Sequence, residues 1–261
     1  MIKVEHLIKQ FGDFKAVDDI SFDVAAGEIF AFLGPNGAGK TTTIKMLTTL
    51  LKPTGGMIEI DGLDPAKQSN EARKRFGIVF QDPSLDQELT AFENMDLHGV
   101  LYHVPRKVRH ERTEMLLNLF ELWDRRKDYV KKFSGGMKRR LEIARGFLHT
   151  PKILFLDEPT LGLDPQSRNQ LWTHVKNLNR TEHVTVFLTT HYMDEAEKVA
   201  DRIAIIDHGK IVAQGSPDEL KTQTGTDTLE AAYLSLTGSS IRDERADSTD
   251  QMRQIAKMWR R

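Results

Sequence analysis

Residues Gly34–Leu47 read GPNGAGKTTTIKML and separate the apolar run EIFAFL from a stretch with helical apolar spacing. A strand that ends in a glycine-rich turn and continues as a helix points several backbone N–H groups at one place, where the positive end of the helix dipole adds its field. The pattern G-x-x-x-x-G-K-[ST] is met by Gly34, Gly39, Lys40 and Thr41. This stretch therefore predicts a phosphate-binding P-loop between a strand and a helix.

The residue types in this loop suit a nucleoside triphosphate with Mg²⁺. Glycine is needed because a Cβ would obstruct both the tight turn and the approach of the anion. Lys40 is expected to reach the β and γ phosphates, and the Thr41 hydroxyl is expected to bind Mg²⁺. The other residues expected to cradle the phosphates are Gly34, Pro35, Asn36, Gly37, Ala38, Gly39 and Thr42. A glycine-rich turn without a ligand is the alternative, and the strand and helix around the loop argue against it.

Composition narrows the class of protein. The 261 residues carry a formal net charge of −1, so nothing predicts a nucleic-acid partner. There is no cysteine, which excludes disulfides, thiolate metal sites and a cysteine nucleophile, and fits a cytosolic chain. The N-terminal MIKVEHLIKQFGDF lacks the apolar core of a signal peptide, and no apolar run is long enough to cross a membrane. We therefore expect any membrane role to depend on a partner.

The pattern of apolar runs predicts an α/β fold with a P-loop NTPase core. Short alternating runs before the loop, and GMIEID after it, predict strands that include an antiparallel β subdomain. Continuous apolar runs in GIVF, KILFLD and VTVFLT predict parallel strands buried on both faces. A helix is expected over about residues 40–51, and RIAIIDHGKIVAQG is expected to form a hairpin that turns at His208 and Gly209. Residues 89–150 predict an inserted α-helical subdomain.

The segment KILFLDEPT places Asp157 and Glu158 at the end of a predicted buried strand. Beside a P-loop, an aspartate at the tip of a strand is the arrangement that helps to hold Mg²⁺. Glu158 would then orient or deprotonate the attacking water. The alternative is that both carboxylates mark the start of a helix, as acidic residues before proline often do.

The segment FSGGMKRRLEIARGF contains a second glycine-rich helix start. Ser134 can be an ordinary N-cap, which is the simpler interpretation. Gly135 and Gly136 before the helix also suit a phosphate, although a chain that holds one triphosphate does not need two such sites. A dimer resolves this conflict, because each subunit can offer its helix N-terminus to the nucleotide of the other.

Several motifs together resemble one family. GPNGAGKTT, FQ, FSGGM, ILFLDEPT, LGLD and TTH follow one another in the order and spacing of an ABC-transporter ATP-binding subunit, over about residues 1–220. The resemblance implies that ATP is the nucleotide, that it is hydrolysed with Mg²⁺ to ADP and phosphate, and that a membrane-spanning permease is the partner. Catalysis in such proteins is mostly positioning and charge neutralisation.

The resemblance also implies roles for single residues. Phe11 would stack on adenine, and Asp164 would lie at the dimer interface. Gln81 would sense the γ-phosphate, contact Mg²⁺ and connect to the permease, while His191 would contact the γ-phosphate. The plainer alternatives are a core aromatic for Phe11, a solvated loop residue for Gln81, and a neighbour of a helix N-cap for His191.

Two positions depart from the commonest family pattern. Phe133 stands where leucine is usual, and Met137 stands where glutamine is usual. FSGGMKRRLEIARGFLHTPKILFLDEPTLGLDP and TTHYMDEAEKVADRIAIIDHGKIVAQG resemble the ATPases of ABC-2-type exporters. That group includes drug-resistance proteins of the daunorubicin type and exporters of polysaccharides, lipids or nodulation factors.

Residues 221–261 predict a C-terminal tail with two short amphipathic helices, after an ATPase domain over 1–220. TLEAAYLSLTG carries apolar residues at helical spacing, and the polar SSIRDERADSTD predicts a linker. The final DQMRQIAKMWRR repeats the helical spacing and adds lysine and arginine. It is either a basic helix that contacts the membrane surface or the permease, or a frayed or self-docked terminus.

The expected function is the ATP-hydrolysing subunit of a membrane exporter, peripheral on the cytoplasmic face of the cell membrane. We expect a homodimer, because every motif needed for both half-sites is present in this chain. Other ABC transporter classes and soluble ABC ATPases that act on ribosomes or DNA are the alternatives. The latter carry two cassettes or long coiled coils, which this sequence lacks. The FSGGM motif before the strand of Asp157 argues against a P-loop kinase or small GTPase.

Overall fold

A computed structural model describes residues 1–238 of the chain, in two sheets with helices around them. The strands are β1 Ile2–Phe11, β2 Phe14–Val24, β3 Ile29–Leu33, β4 Gly55–Ile60, β5 Phe76–Val79, β6 Ile153–Asp157, β7 Thr185–Thr190, β8 Arg202–Asp207 and β9 Lys210–Gly215. The helices are α1 Lys40–Leu47, α2 Ser69–Arg73, α3 Ala91–Leu101, α4 Arg106–Leu119, α5 Gly135–Phe147, α6 Pro165–Glu182, α7 Met193–Val199, α8 Pro217–Thr224 and α9 Leu229–Thr237.

The larger sheet has six strands in the order β5-β6-β7-β3-β8-β9. Its first five strands are parallel, and β9 pairs antiparallel with β8. The smaller sheet, β2-β1-β4, is antiparallel. Because parallel strands end at one edge of a sheet, the segments that follow β3, β5, β6 and β7 come out on the same side. The predicted α/β core with an antiparallel subdomain is confirmed.

Both faces of the larger sheet are buried, as the continuous apolar runs predicted. Along β3, Phe30 and Phe32 point toward the smaller sheet, while Ile29, Ala31 and Leu33 belong to the core on the opposite face. The phenylalanine rings of β2, β3 and β7 lie 5.5–5.9 Å apart between the two sheets. Helices α5 and α6 cover the other face. The P-loop strand is thus held rigidly in the centre of the protein.

Helices α3, α4 and α5 occupy the stretch predicted as a helical subdomain. A complete capping box starts α3, in which Thr90 and Glu93 each accept a hydrogen bond from the other's backbone N–H. The predicted hairpin turn is also observed, since His208 and Gly209 both have positive φ, as a two-residue turn of this kind requires.

The prediction of a helix over residues 40–51 was wrong at its C-terminus, because α1 ends at Leu47. Thr49 adopts a φ of +64°, which stops the helix. The backbone N–H groups of Leu50 and Leu51 then both bond to the carbonyl of Lys45 at 2.9 Å. The KPTGG signal follows the true helix end rather than marking it.

The chain after the β8–β9 hairpin returns to the core. Helix α8 spans the predicted domain boundary at residue 220, and Leu220 is fully buried. On α9, Leu229, Ala232 and Tyr233 are buried, so the first predicted tail helix docks on its own domain. The predicted linker and the basic helix over residues 249–261 lie outside the described residues. Within residues 1–238, no helix combines the length and apolarity that a membrane crossing needs.

Helix α5 approaches β5 closely at Gly77, which gives a stability prediction. A Cβ on Gly77 would lie 2.1 Å from the carbonyl oxygen of Gly146, whereas a Cβ on Gly146 would meet nothing closer than 3.6 Å. We expect Gly77→Ala to lower the free energy of unfolding by about 3 kcal/mol. Gly146→Ala, the matched control, should be neutral or raise it by up to about 1 kcal/mol through helix propensity. Urea unfolding of both variants measures this, and equal stabilities would contradict it.

Candidate nucleotide site

The loop between β3 and α1 has the backbone that the P-loop pattern predicts. Gly37 and Gly39 have φ values of +80° and +109°, which glycine adopts without strain. A Cβ on Gly39 would lie 2.6 Å from the carbonyl oxygen of Ala16, and one on Gly34 would lie 2.3 Å from that of Ile206. Glycine is therefore required here by backbone packing as well as by φ. The first turn of α1 starts at Lys40, so its free N–H groups face this loop.

Lys40 is buried at the start of α1 with its ammonium inside the loop. Its Nζ donates to the carbonyls of Gly34 at 2.7 Å and Pro35 at 3.1 Å, and lies 3.0 Å from Glu158 Oε1. A cation held by loop carbonyls and one carboxylate stands where a phosphate on this loop would meet it.

Asp157 ends β6 directly beside the P-loop helix. Its Oδ1 accepts hydrogen bonds from Thr189 Oγ1 at 2.6 Å and Thr41 Oγ1 at 3.3 Å. Burial raises the pKa of this carboxyl above its ordinary value, while the two hydroxyl donors and Lys40 oppose the rise. A carboxylate and a hydroxyl this close together are hard oxygen ligands of the kind that Mg²⁺ prefers alongside phosphate oxygens. The residues present therefore fit the metal that the sequence predicted.

Glu158 turns out of the sheet after β6 with a φ of +48°. Its backbone N–H contacts both the carbonyl and the hydroxyl of Thr189, at 3.2 and 3.0 Å, and this fixes the turn. Its Oε2 lies 2.8 Å from Nδ1 of His191, which follows β7. No helix starts at this turn in the described chain, because α6 begins only after the N-cap Asp164. The helix-start alternative for Asp157 and Glu158 is therefore excluded.

Gln81 follows β5 and is exposed, with its backbone carbonyl 3.4 Å from Nη2 of Arg139 on α5. Phe11, at the end of β1, is partly exposed rather than a core aromatic, and Lys9 Nζ lies 4.8 Å from its ring centre. An accessible ring can receive a flat base, so its position suits the predicted stacking role.

A second group of predicted residues lies at the N-termini of α5 and α6. Ser134 caps α5 by accepting from the Met137 N–H at 3.2 Å, and Asp164 caps α6 by accepting from the Ser167 N–H at 2.9 Å. A Cβ on Gly136 would lie 2.8 Å from Ser167 Oγ, so the two helix starts pack together. Gly135 has room for a side chain, with only Leu163 Cδ2 within 4 Å.

The sequence did not indicate two buried acidic residues near the site. Glu195 on α7 accepts from Thr160 Oγ1 at 2.8 Å and lies 3.0 Å from Arg168 Nε, so it joins the segment after Glu158 to α6 and α7. Glu142 on α5 pairs with Arg139 at 3.0 Å. In the sequence both resemble ordinary charged residues of solvated helix faces, and no local signal distinguishes them.

Comparisons with known proteins point to the family that the motifs resemble. Residues 17–161, more than half of the chain, match the ABC transporter family. The chain is 40% identical to the daunorubicin resistance ATP-binding protein DrrA3 of Streptomyces coeruleorubidus, over 98% of this chain and 85% of that protein. It is 45% identical to the daunorubicin/doxorubicin resistance ATP-binding protein DrrA of Streptomyces peucetius, over 87% and 69%.

Comparison with solved structures points to the same family. An ATP-binding subunit of an ABC transporter superposes with a TM-score of 0.81 at 31% identity, covering 90% of this chain and 99% of that one. A dimeric ATP-binding cassette in a post-hydrolysis state, bound to ADP and phosphate, gives a TM-score of 0.73 at 28% identity, over 83% and 98%. The chain belongs to the ABC transporter family and is an ATP-binding, ATP-hydrolysing subunit that energises a membrane transporter.

Proposed function

We propose that this chain is the ATPase of an ABC-2-type exporter of drugs, lipids or polysaccharides. The observation that carries the ATPase part of the proposal is the cluster of Lys40, Asp157, Glu158 and His191, which the segments after the parallel strands β3, β6 and β7 bring together. The exporter class rests on the similarity to drug-resistance ATP-binding proteins over most of their lengths.

The contacts suggest how this chain would hydrolyse ATP. Lys40 would neutralise the β and γ phosphates, and Thr41 with Asp157 and Gln81 would hold Mg²⁺, which neutralises phosphate charge when bound. Glu158 would orient the attacking water and accept its proton. His191, within 2.8 Å of Glu158, would keep that carboxylate aimed and contact the γ-phosphate.

The second group of residues supports a homodimer with nucleotide between the subunits. Ser134, Gly135 and Gly136 start α5, whose N–H groups and dipole favour an anion. Asp164 starts the helix packed beside it. In the dimer, each subunit would present these residues to the ATP on the partner's P-loop, so ATP would close the dimer and hydrolysis would release it.

The helical subdomain supports a permease contact beside Gln81. On α3, Leu97, Val100 and Leu101 are 50%, 48% and 68% exposed, a grouping of large apolar side chains that a partner would bury. The segment from Gln81 to Thr90 leads directly into this helix. We propose that the cytoplasmic part of the permease docks there, which would place the ATPase at the cytoplasmic face of the membrane. The basic helix over residues 249–261 stays a prediction.

Affinity purification of the tagged chain from detergent-solubilised membranes tests the proposal. We expect a multi-spanning membrane protein at a stoichiometric ratio, identified by mass spectrometry. A Leu97→Asp/Leu101→Asp variant should lose that protein while keeping ATP binding, because charged side chains oppose burial in an apolar interface. Recovery of ribosomal or DNA-associated proteins without a membrane protein would contradict the exporter and favour a soluble ABC ATPase.

A further inference from the structure

A single buried arginine on α5 connects the two loops that carry Gln81 and Glu158. Arg139 is 6% exposed, and each nitrogen of its guanidinium has an oxygen acceptor. Nε donates to the carbonyl of Pro159 at 2.8 Å, and Nη1 donates to the carbonyl of Phe80 at 2.6 Å. Nη2 donates to the carbonyls of Gln81 at 3.4 Å and Glu158 at 3.2 Å.

With Glu142 as the fifth partner, at 3.0 Å from Nη1, these acceptors match the five N–H donors that a guanidinium offers. Two of the carbonyls come from the segment after β5, and two come from the turn after β6. Arg139 thus sets the separation between the residue that would sense the γ-phosphate and the residue that would act on water.

The same network extends outward from the site. Glu142 is 2% exposed and accepts from the backbone N–H of Ser84 at 2.7 Å and from its hydroxyl at 3.4 Å. Arg145, one turn further along α5, donates to the Ser84 carbonyl at 2.8 Å. Ser84 itself is exposed, on the segment that leads to α3. A displacement of this exposed segment would therefore be transmitted through Glu142 and Arg139 to the carbonyl of Glu158.

We propose that Arg139 is a positioning residue for ATP hydrolysis, and that the Ser84–Glu142–Arg139 network couples residues 81–90, the segment that would face the permease, to Glu158. This inference rests on the proposed function, because it takes the roles of Gln81 and Glu158 from there. Arg139 acts on the turnover step rather than on ATP binding, since none of its partners belongs to the P-loop. A lysine cannot replace it, because an ammonium has three donors on one nitrogen and cannot satisfy the five acceptors that surround the planar guanidinium.

The test compares Arg139→Lys with Arg140→Lys, the same change one residue further along α5. Arg140 donates to the Phe120 carbonyl at 3.1 Å, away from both loops. We expect Arg139→Lys to lower kcat by about 10–100-fold, the scale of a misplaced catalytic group, with KM for ATP within about twofold. Arg140→Lys should keep both constants near the wild-type values.

A double variant separates positioning from folding. Arg139→Gln leaves the buried carboxylate of Glu142 without the guanidinium it pairs with, which is destabilising, whereas Arg139→Gln/Glu142→Gln removes both charges and should recover the melting temperature. We expect the double variant to remain as slow as Arg139→Lys. Recovery of kcat together with stability would overturn the inference, as would a rise in KM without a fall in kcat, or equal losses in Arg139→Lys and Arg140→Lys.

Glu158→Gln in the same assay distinguishes a failure of the proposed catalytic residues from a failure of the positioning role of Arg139. If Glu158→Gln is inactive and Arg139→Lys is fully active, only the positioning role of Arg139 fails. If Glu158→Gln keeps wild-type turnover, the assignment of the catalytic residues fails and the coupling inference fails with it.

Discussion

Replacing Glu158 with glutamine is expected to lower ATP turnover by about 10²–10⁴-fold, the usual contribution of a positioned acid or base, while ATP binding persists. The change removes the carboxylate that would accept the proton of water but keeps the shape of the side chain. Lys40 would retain its bonds to the carbonyls of Gly34 and Pro35, so the P-loop should stay intact.

Steady-state phosphate release and equilibrium ATP binding measure the two halves of this expectation. Glu114→Gln, the same chemical change on an exposed face of α4, is the matched control and should behave as the wild type. Turnover near the wild-type rate in Glu158→Gln would show that another residue acts as the base. A loss of both ATP binding and turnover would instead show that Glu158 holds the P-loop in place.

Replacing Lys40 with methionine is expected to weaken ATP binding by about 100-fold. A charge-assisted hydrogen bond to phosphate contributes about 1.5–3 kcal/mol, and tenfold in affinity corresponds to about 1.4 kcal/mol. Methionine retains most of the apolar stem that packs at the start of α1, so the loss should report the ammonium rather than the packing. ATP binding measured by calorimetry gives the value directly.

Lys45→Met, at the other end of α1, removes the same charge outside the loop and should leave the affinity unchanged. Because Lys40 also pairs with Glu158 at 3.0 Å, the melting temperature of the variant should be compared with that of the wild type. Wild-type affinity in Lys40→Met would show that the triphosphate lies elsewhere.

The sequence predicted those features whose cause is local. A glycine between a buried strand and a helix is needed wherever φ is positive, and Gly37 and Gly39 meet that need within the motif itself. Apolar runs without alternation predicted the parallel strands, and the His208–Gly209 pair predicted the hairpin, because burial on both faces and positive φ restrict which residues can be used. Family resemblance then added roles for Gln81 and His191 that no local pattern contains.

Only the tertiary structure identified Arg139, Glu142 and Glu195 as part of the site. The partners of Arg139 lie 59 residues before it, at Phe80, and 20 residues after it, at Pro159. The parallel sheet brings these segments to one edge, and a buried guanidinium is stable there because it finds carbonyls from both. The same holds for the end of α1 and for the exposure of Phe11, which depend on packing between segments. Local sequence determined the phosphate loop and the strands, while the polar connections around them depend on which loops the sheet topology brings together.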